Sequence, residues 1–285
     1  CDMVFTCYLC IQRAFGKAKA YTMADKTIQR FKRNMQENAF LFQQLVNRDF
    51  TQRYKRTVLG IAWSVLSPMF QLLVMMIVFS RLFGRGMEHY VIYLFSGNIA
   101  FNYFSESTTS GMQSLMNNAG ILSKINVPKY LFVLSQNVSA LINYIITILL
   151  FFVFCLADGV QLTPAILTLW YPIVCFVIMN VGIGMVLSAL FIFFRDIQYL
   201  YRIALTLISY LSVIFYTIDS FSPAAQRLFL LNPIYANIKF WLLVVLEQTV
   251  PSLSYHLLLA FYAVLFLGFG AFFYKKYNHR FVYYF

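Results

Sequence analysis

The hydrophobic positions of this chain gather in long runs that short polar segments separate. A helix needs about 20 mostly apolar residues to cross a bilayer. Six runs reach that length, at about residues 58–82, 90–112, 130–156, 166–194, 200–218 and 254–274. The pattern therefore predicts an all-α integral membrane protein with six transmembrane helices.

Two further segments have helical features but are too short to span. Residues 28–47 alternate apolar and charged side chains at helical spacing, which predicts an N-terminal amphipathic helix lying in the cytoplasmic interface. Residues 219–253 contain Ser222-Pro223 and Asn232-Pro233, each a cap residue followed by proline, as at a helix start. They predict two short helices that either re-enter the outer leaflet or lie on its surface.

These segments divide the chain into three regions. Residues 1–22 are expected to be upstream or non-native sequence, because Met23 opens a segment typical of a natural start. Residues 23–57 form the cytoplasmic amphipathic interface region, and residues 58–285 form the transmembrane domain.

Composition and charge place this architecture in a membrane and orient it. The chain is 61% hydrophobic and only 11% charged, whereas soluble domains are about a quarter charged. Its net charge is +12, which in a soluble protein would suggest nucleic acid. Here eighteen Lys and Arg residues flank the predicted spans on one side and four on the other. The positive-inside rule therefore predicts that both termini are cytoplasmic, and no nucleic-acid partner is expected.

No pattern in the sequence predicts catalysis. The ten acidic residues are dispersed, the three histidines lack metal-binding spacing, and no P-loop is present. We therefore expect a transport subunit without a metal or cofactor of its own. Glu106 lies in the polar second span, where it is either a pathway residue facing a cavity or an acid near a helix end.

Several segments together resemble one transporter family. RDFTQRYKRTVLGIAWSVLSPMFQLLVMMIVFSRLF combines Arg-Asp, a basic run, Leu-Gly, Trp63 and Pro68. It resembles the opening of permease subunits in bacterial ABC-2-type exporters of polysaccharides such as O-antigen, teichoic acid and capsule. Further similar segments are NIAFNYFSESTTSGMQSLMNNAGILSKINVPKYLFVLSQNVSALINY, FRDIQYLYRIALTLISYLSVIFYTID, LLNPIYANI and FFYKKYNHRFVYYF. The resemblance covers about residues 28–285.

This resemblance implies an assembly and a substrate. It implies a homodimer of six-span subunits among the lipids of the bacterial cytoplasmic membrane. Each subunit would dock on a separate cytoplasmic ABC ATPase, which binds ATP and Mg. The substrate class would be a glycan on a polyprenyl diphosphate lipid. The resemblance also favours the re-entrant arrangement of residues 219–253.

Three sets of candidate functional residues follow from the resemblance and the residue types. The segment between spans 2 and 3 looks like the coupling helix, with expected ATPase contacts at Met116, Asn117, Asn118, Leu122, Lys124, Ile125 and Pro128. Val127-Pro128 is expected to end that helix. Candidate headgroup or gate residues are Arg48, Asp49, Arg53, Tyr54, Arg56, Arg195 and Arg202. The cations among them either bind the diphosphate or only anchor the cytoplasmic side.

The third set is a candidate pathway between spans 1, 2 and 5 of two copies, at Trp63, Asn102, Tyr103, Glu106, Tyr210 and Tyr216. Three other functions stay open on sequence. They are an ABC-2 exporter of a small lipid or drug, a membrane enzyme acting on lipid-linked sugars, and a membrane anchor for an ATPase.

Overall fold

The computed structural model describes residues 38–52, 59–83, 88–124, 127–218, 221–277 and 281. The chain forms two compact units, Cys1–Leu45 and Val46–Phe285. In the first unit, the described residues 38–45 are helical. The second unit contains helices and no strand within the described residues.

The second unit is built from ten helical segments in its described part. Its helices are α1 (residues 46–52), α2 (Trp63–Phe83), α3 (Tyr90–Asn117), α4 (Ala119–Leu122), α5 (Tyr130–Ala157), α6 (Trp170–Phe193), α7 (Ile197–Leu211), α8 (Pro223–Phe229), α9 (Pro233–Val245) and α10 (Leu253–Tyr277). Short 3-10 turns, Gly60–Ala62 and Pro164–Leu169, precede α2 and α6.

The long apolar helices identify the chain as an integral membrane protein. Fewer than six of the described helices, however, have the length and composition needed to span a membrane. Three described segments pass, namely Tyr130–Ala157, Pro164–Phe193 and Leu253–Tyr277. Helices α8 and α9 add a fourth only if counted as one span, and they are bent by 111°. Helix α2 is apolar over Trp63–Phe79 alone, α3 is polar, and α7 has 15 residues.

The ends of the fifth predicted span differ most from the expectation. Helix α7 covers 197–211, not 200–218. After it, Val213 adopts a left-handed backbone with φ 55°, which interrupts helical geometry. Tyr93 donates its hydroxyl to the carbonyls of Val213 (2.6 Å) and Tyr216 (2.5 Å). Carbonyls that would bond within a helix are therefore bonded by α3 instead.

Two other helix ends also differ from the predicted bounds. Residues 46–52 continue as helix beyond the predicted end at residue 47, while 28–37 lie outside the described residues. Helix α3 extends to Asn117, five residues past the predicted end at 112. At its end, the Asn118 side chain donates to the Ser114 carbonyl at 2.7 Å, which satisfies one of the terminal acceptors.

The predicted helix starts at the two prolines are confirmed. The Ser222 hydroxyl accepts a hydrogen bond from the Ala225 amide at the start of α8 (3.4 Å). The Asn232 side chain accepts from the Ile234 amide (3.0 Å) at the start of α9. These caps satisfy backbone donors that a helix start otherwise leaves unpaired.

Helix α6 lies at the centre of the packing. It packs against α10 and α3, and α3 packs in turn on α5. Gly182 faces α10, while Gly184 and Gly111 bring α6 and α3 close together. Small residues of this kind let membrane helices approach at backbone distance. The aromatic rings of α3, α5, α6 and α9 fill the largest buried cluster.

Candidate functional site

A cavity of about 410 Å³ lies between α2, α3 and α5. Its lining is rich in amide, hydroxyl and aromatic side chains, and it comprises Trp63, Ser64, Ser67, Pro68, Gln71, Ile99, Asn102, Tyr103, Ser105, Glu106, Asn143, Tyr144 and Thr147. These three helices hold the first three predicted spans. A cavity with this lining suits a polar, uncharged or hydroxyl-rich ligand, because amides and hydroxyls both donate and accept hydrogen bonds.

Polar side chains bridge the three helices across the cavity. The Asn102 amide of α3 donates to Gln71 Oε1 of α2 at 2.8 Å. The Asn143 amide of α5 donates to Glu106 Oε1 of α3 at 3.3 Å. Glu106 lies about midway along α3 and lines the cavity, which is the environment in which an acid within a membrane helix is tolerated. It is therefore not an acid at a helix end.

Aromatic rings form the rest of the cavity wall. The Trp63 side chain is 42% exposed at the start of α2. The rings of Tyr103 and Tyr144 stack with centroids 4.3 Å apart, and both residues are buried. The Tyr144 hydroxyl has no hydrogen-bond partner within the described residues.

The cavity brings together four of the six predicted pathway residues, Trp63, Asn102, Tyr103 and Glu106. Tyr210 and Tyr216 are not part of its lining. Tyr210 lies in the last turn of α7 and Tyr216 just beyond the helix, and the Tyr216 hydroxyl donates to the Tyr210 carbonyl at 3.0 Å. The cavity within one chain is thus bounded by spans 1, 2 and 3, whereas the predicted pathway used span 5.

Several polar residues of the cavity were not predicted from the sequence. Gln71, Asn143 and Thr147 project from helices that read as uniformly apolar. The available signal was an isolated amide inside an apolar run, such as Asn143 in LINYIITILL. In a membrane helix an amide without a partner is costly, so an isolated one indicates a partner or a cavity.

Asp49, one of the predicted headgroup or gate residues, has a packing role. Its side chain is buried, and Oδ2 accepts a hydrogen bond from Ser135 Oγ of α5 at 2.8 Å. Arg48 Nη2 lies 2.6 Å from the other carboxylate oxygen. The hydrogen bond from Ser135 joins α1 to α5, while Arg48 of α1 itself balances the charge of the carboxylate.

The other headgroup candidates are not brought together in the described part. Arg195 and Arg202 are exposed at the start of α7. Arg53, Tyr54 and Arg56 lie outside the described residues.

The predicted coupling segment is a helix end followed by one turn of helix. Met116 and Asn117 end α3, Asn118 links it to α4, and α4 ends at Leu122. The helix therefore ends before Pro128, which instead precedes the start of α5. Ile125 lies outside the described residues.

Within that segment the apolar side chain of Leu122 is buried in this chain, and only 7% is exposed. Leu122 is one of the predicted ATPase contacts, and this burial leaves little of its side chain accessible at the surface of the chain. Asn117 and Lys124 are exposed. Nearby, Lys129 Nζ lies 5.5 Å from the Phe281 ring centroid, and partial burial lowers the pKa of Lys129.

A polytopic helical membrane protein with a polar cavity among its helices has the architecture expected of a transport protein. The profile of the family described as ABC-2 type transporter matches residues 40–245. The chain belongs to this family.

Curated relatives agree with that assignment. An O-antigen export system permease protein RfbA of Klebsiella pneumoniae is 26% identical over 248 residues, which cover 85% of this chain and 95% of the relative. A second protein of that name from Klebsiella pneumoniae is 27% identical over 208 residues, covering 71% and 80%. One from Myxococcus xanthus is 23% identical over 212 residues, covering 73% and 81%.

Proposed function

We propose that this chain is the permease subunit of a bacterial ABC exporter that moves a polyprenyl-diphosphate-linked polysaccharide across the cytoplasmic membrane. A separate ATPase subunit would bind ATP and Mg and supply the energy. Membership of the ABC-2 family and the names of the relatives support a transport subunit rather than an enzyme. The observation that supports a hydroxyl-rich substrate most directly is the amide-lined cavity between α2, α3 and α5.

The proposed topology has six spans and cytoplasmic termini, with residues 23–57 as the interface region. Helix α7 is about 22 Å long at 1.5 Å per residue, short of the roughly 30 Å of hydrocarbon. The non-helical residues 212–218, of which four are buried and three partly buried, would complete the fifth span. The tyrosine hydroxyls of α3 bond their carbonyls, and irregular backbone is tolerated in a membrane when protein buries it.

The pair α8 and α9 would form the outer re-entrant element. Helix α9 is largely buried, including Asn237 and Trp241, whereas α8 has no buried residue. The sharp bend between two capped helices supports a segment that enters and returns on one side. A helix floating on the surface would leave one whole face of α9 exposed.

A homodimer would place a second copy against the exposed faces of α2 and α7. On α7 the exposed apolar side chains follow helical spacing, at Tyr199, Leu200, Ile203, Leu207 and Tyr210. On α2 they include Phe70, Val74 and Ile77. The translocation pathway would then run between the copies, and the polar cavity would open towards it.

The ATPase would contact the turn between α3 and α5. Asn117 and Lys124 are the exposed side chains of the predicted contact set there, beside Met116, Asn118 and Pro128. Because α3 also lines the cavity, a displacement of this turn would act directly on the pathway. Arg195 and Arg202, with Arg48, Arg53, Tyr54 and Arg56, remain candidates for the diphosphate headgroup.

The test reconstitutes this chain with its ATPase in vesicles and measures ATP-dependent delivery of a lipid-linked glycan to the lumen. A Gln71→Leu/Asn102→Leu variant removes the polar bridge across the cavity and keeps similar side-chain volume. We expect at least tenfold slower delivery with unchanged ATPase co-elution, because the glycan loses its hydrogen-bond partners. Ser254→Leu, an exposed change outside the cavity, is the matched control. Absence of delivery by the unmodified complex would refute the export function. Unaffected delivery by the double variant would show that the cavity does not bind the glycan during export.

A further inference from the structure

The side chain of Phe281 is fully buried, although the residue lies beyond the last helix, which ends at Tyr277. Its ring contacts Tyr274 of α10, with the two ring centroids 5.5 Å apart. It also contacts Phe193, the last residue of α6, with the centroids 6.0 Å apart. Lys129, the residue before α5, has its Nζ 5.5 Å from the centroid of the same ring. One side chain therefore contacts the ends of three helices.

The ends of α6 and α10 are also joined to each other beside this ring. Ser188 of α6 and Tyr274 share a buried hydrogen bond, with their hydroxyl oxygens 2.7 Å apart. Phe193 contacts Tyr277 edge to face, with the ring centroids 5.7 Å apart. Aromatic pairs of this kind have preferred orientations, so they define how the two helix ends sit together. Phe281 thus packs on a surface that α6 and α10 form jointly.

Lys129 connects that surface to the turn between α3 and α5. It follows Pro128 directly, and its carbonyl accepts a hydrogen bond from the Phe132 amide at 3.3 Å in the first turn of α5. The Leu131 amide donates in the same way to the Pro128 carbonyl at 3.1 Å. The negative face of an aromatic ring attracts an ammonium group, and more strongly when the group is partly removed from water. The contact with Phe281 therefore acts on the residue where the turn ends and α5 begins.

We infer that Phe281 is a positioning residue for energy coupling, because it holds the start of α5 against α6 and α10. The inference rests on the proposed function, in which an ATPase displaces the turn between α3 and α5. With the ring in place, a displacement of the turn is passed on to α6 and α10. Without the ring, Lys129 loses its cation–π contact, and Phe193 and Tyr274 lose a packing neighbour. The turn would then move by itself, and ATP would be hydrolysed with little glycan delivered.

The first measurement uses the purified chain in lipid nanodiscs and needs no ATPase. Hydrogen–deuterium exchange of peptides covering residues 127–133 reports how firmly the first turn of α5 is held. Phe281→Ala should speed this exchange at least tenfold and leave peptides covering residues 98–108 of α3 unchanged. Phe269→Ala is the matched control, because it makes the same change at a half-exposed side chain of α10. It should leave the exchange of residues 127–133 unchanged.

The second measurement uses the purified complex with its ATPase in vesicles. The probe is a polyprenyl-diphosphate-linked chain of ten hexoses, and the readout is the number of glycans delivered per ATP hydrolysed. Phe281→Ala should lower this ratio at least threefold while co-elution with the ATPase is kept. A variant that is only destabilised would yield less complex, but the ratio for the complex that remains would not change.

Two substitutions of Lys129 test whether the ring acts through this residue. Lys129→Met removes the cation and keeps an unbranched side chain, so it should also lower the delivery ratio. Lys129→Arg keeps a cation that can lie over the Phe281 ring, so its ratio should stay within twofold of the unmodified complex. Equal ratios for Lys129→Met and Lys129→Arg would show that the cation over the ring has no part in coupling.

The outcomes separate this inference from the proposed function. Unchanged exchange of residues 127–133 in Phe281→Ala, or an equal effect of Phe269→Ala, would overturn the positioning role while export stands. An unchanged delivery ratio in Phe281→Ala would overturn the role in coupling. Absence of delivery by the unmodified complex would overturn the export function itself, and the exchange measurement would still decide whether Phe281 holds the start of α5.

Discussion

Replacing Gly182 with alanine tests a helix contact at backbone distance between α6 and α10. A Cβ at Gly182 of α6 would lie 2.4 Å from the carbonyl carbon and oxygen of Phe266 and 2.5 Å from the Leu267 amide nitrogen in α10. Ordinary van der Waals contact begins at 3.4 Å. The two helices would have to separate locally by about 1 Å, because backbone atoms cannot escape by changing rotamer.

The energetic effect is the difference between this clash and a gain in helix propensity. Overpacking of this kind costs typically about 1–3 kcal/mol, and obstruction by backbone puts Gly182→Ala near the upper limit, at about 3 kcal/mol. Alanine in place of glycine returns up to about 1 kcal/mol. Gly268→Ala is the matched control in α10, because its Cβ would meet nothing within 4 Å.

The measurement is the apparent midpoint of thermal unfolding of the purified chain in lipid nanodiscs. Gly182→Ala should unfold about 6–12 °C below Gly268→Ala, given about 2–4 °C per kcal/mol for a chain near this size. Gly270→Ala should be intermediate, since its Cβ would lie 2.7 Å from the Gly182 carbonyl oxygen. Equal midpoints for Gly182→Ala and Gly268→Ala would refute the close α6–α10 crossing.

Two further substitutions test hydrogen bonds with internal controls, using the same unfolding measurement. Ser135→Ala removes the 2.8 Å donor to the buried Asp49 carboxylate and should lower the free energy of unfolding by about 1–3 kcal/mol. The control Ser139→Ala lies in the same helix, and its Oγ has no partner among the described residues, so it should cost less. A larger effect of Ser139→Ala would contradict the role of Asp49. Asn232→Ala removes the cap of α9 and should lower the free energy of unfolding by about 1–2 kcal/mol. Ser222→Ala should cost less, because the hydrogen bond from the Ala225 amide to Ser222 is exposed and 3.4 Å long. Equal effects would argue against a buried start of α9.

The helices that the sequence located best are those whose boundaries are set by local chemistry. The apolar runs of α5 and α10 end within about three residues of the hydropathy limits, because a run of leucine, isoleucine and phenylalanine is helical throughout a membrane. The starts of α8 and α9 followed from a cap residue and a proline that act on their own neighbours.

The end of α7 was not predictable in this way. The residues after it are as apolar as those before. The helix ends just before the carbonyls of Val213 and Phe215, which accept hydrogen bonds from Tyr93 and Tyr90 of α3. The cavity residues likewise include some that could be predicted from local sequence and some that could not. Asn102 and Glu106 were visible as polar residues of one polar span, whereas Gln71 and Asn143 become functional candidates only when α2 and α5 are packed beside it. A hydropathy pattern contains no information about contacts between segments that are distant in sequence.

The same contacts indicate which elements of the unit can move at the lowest cost. Helix α6 meets both α3 and α10 through glycines at backbone distance, so separating α6 from either of them loses many dispersion contacts at once. Helix α7 has no buried residue and α2 is mostly exposed. Each is joined to α3 by a side-chain hydrogen bond, Tyr201 to Thr108 and Asn102 to Gln71. Breaking one such bond costs about 1 kcal/mol net when water or a sugar hydroxyl replaces the partner. Under the proposed function, a glycan that enters between α2 and α3 would supply that replacement, so substrate binding at the polar bridge would be coupled to displacement of α2.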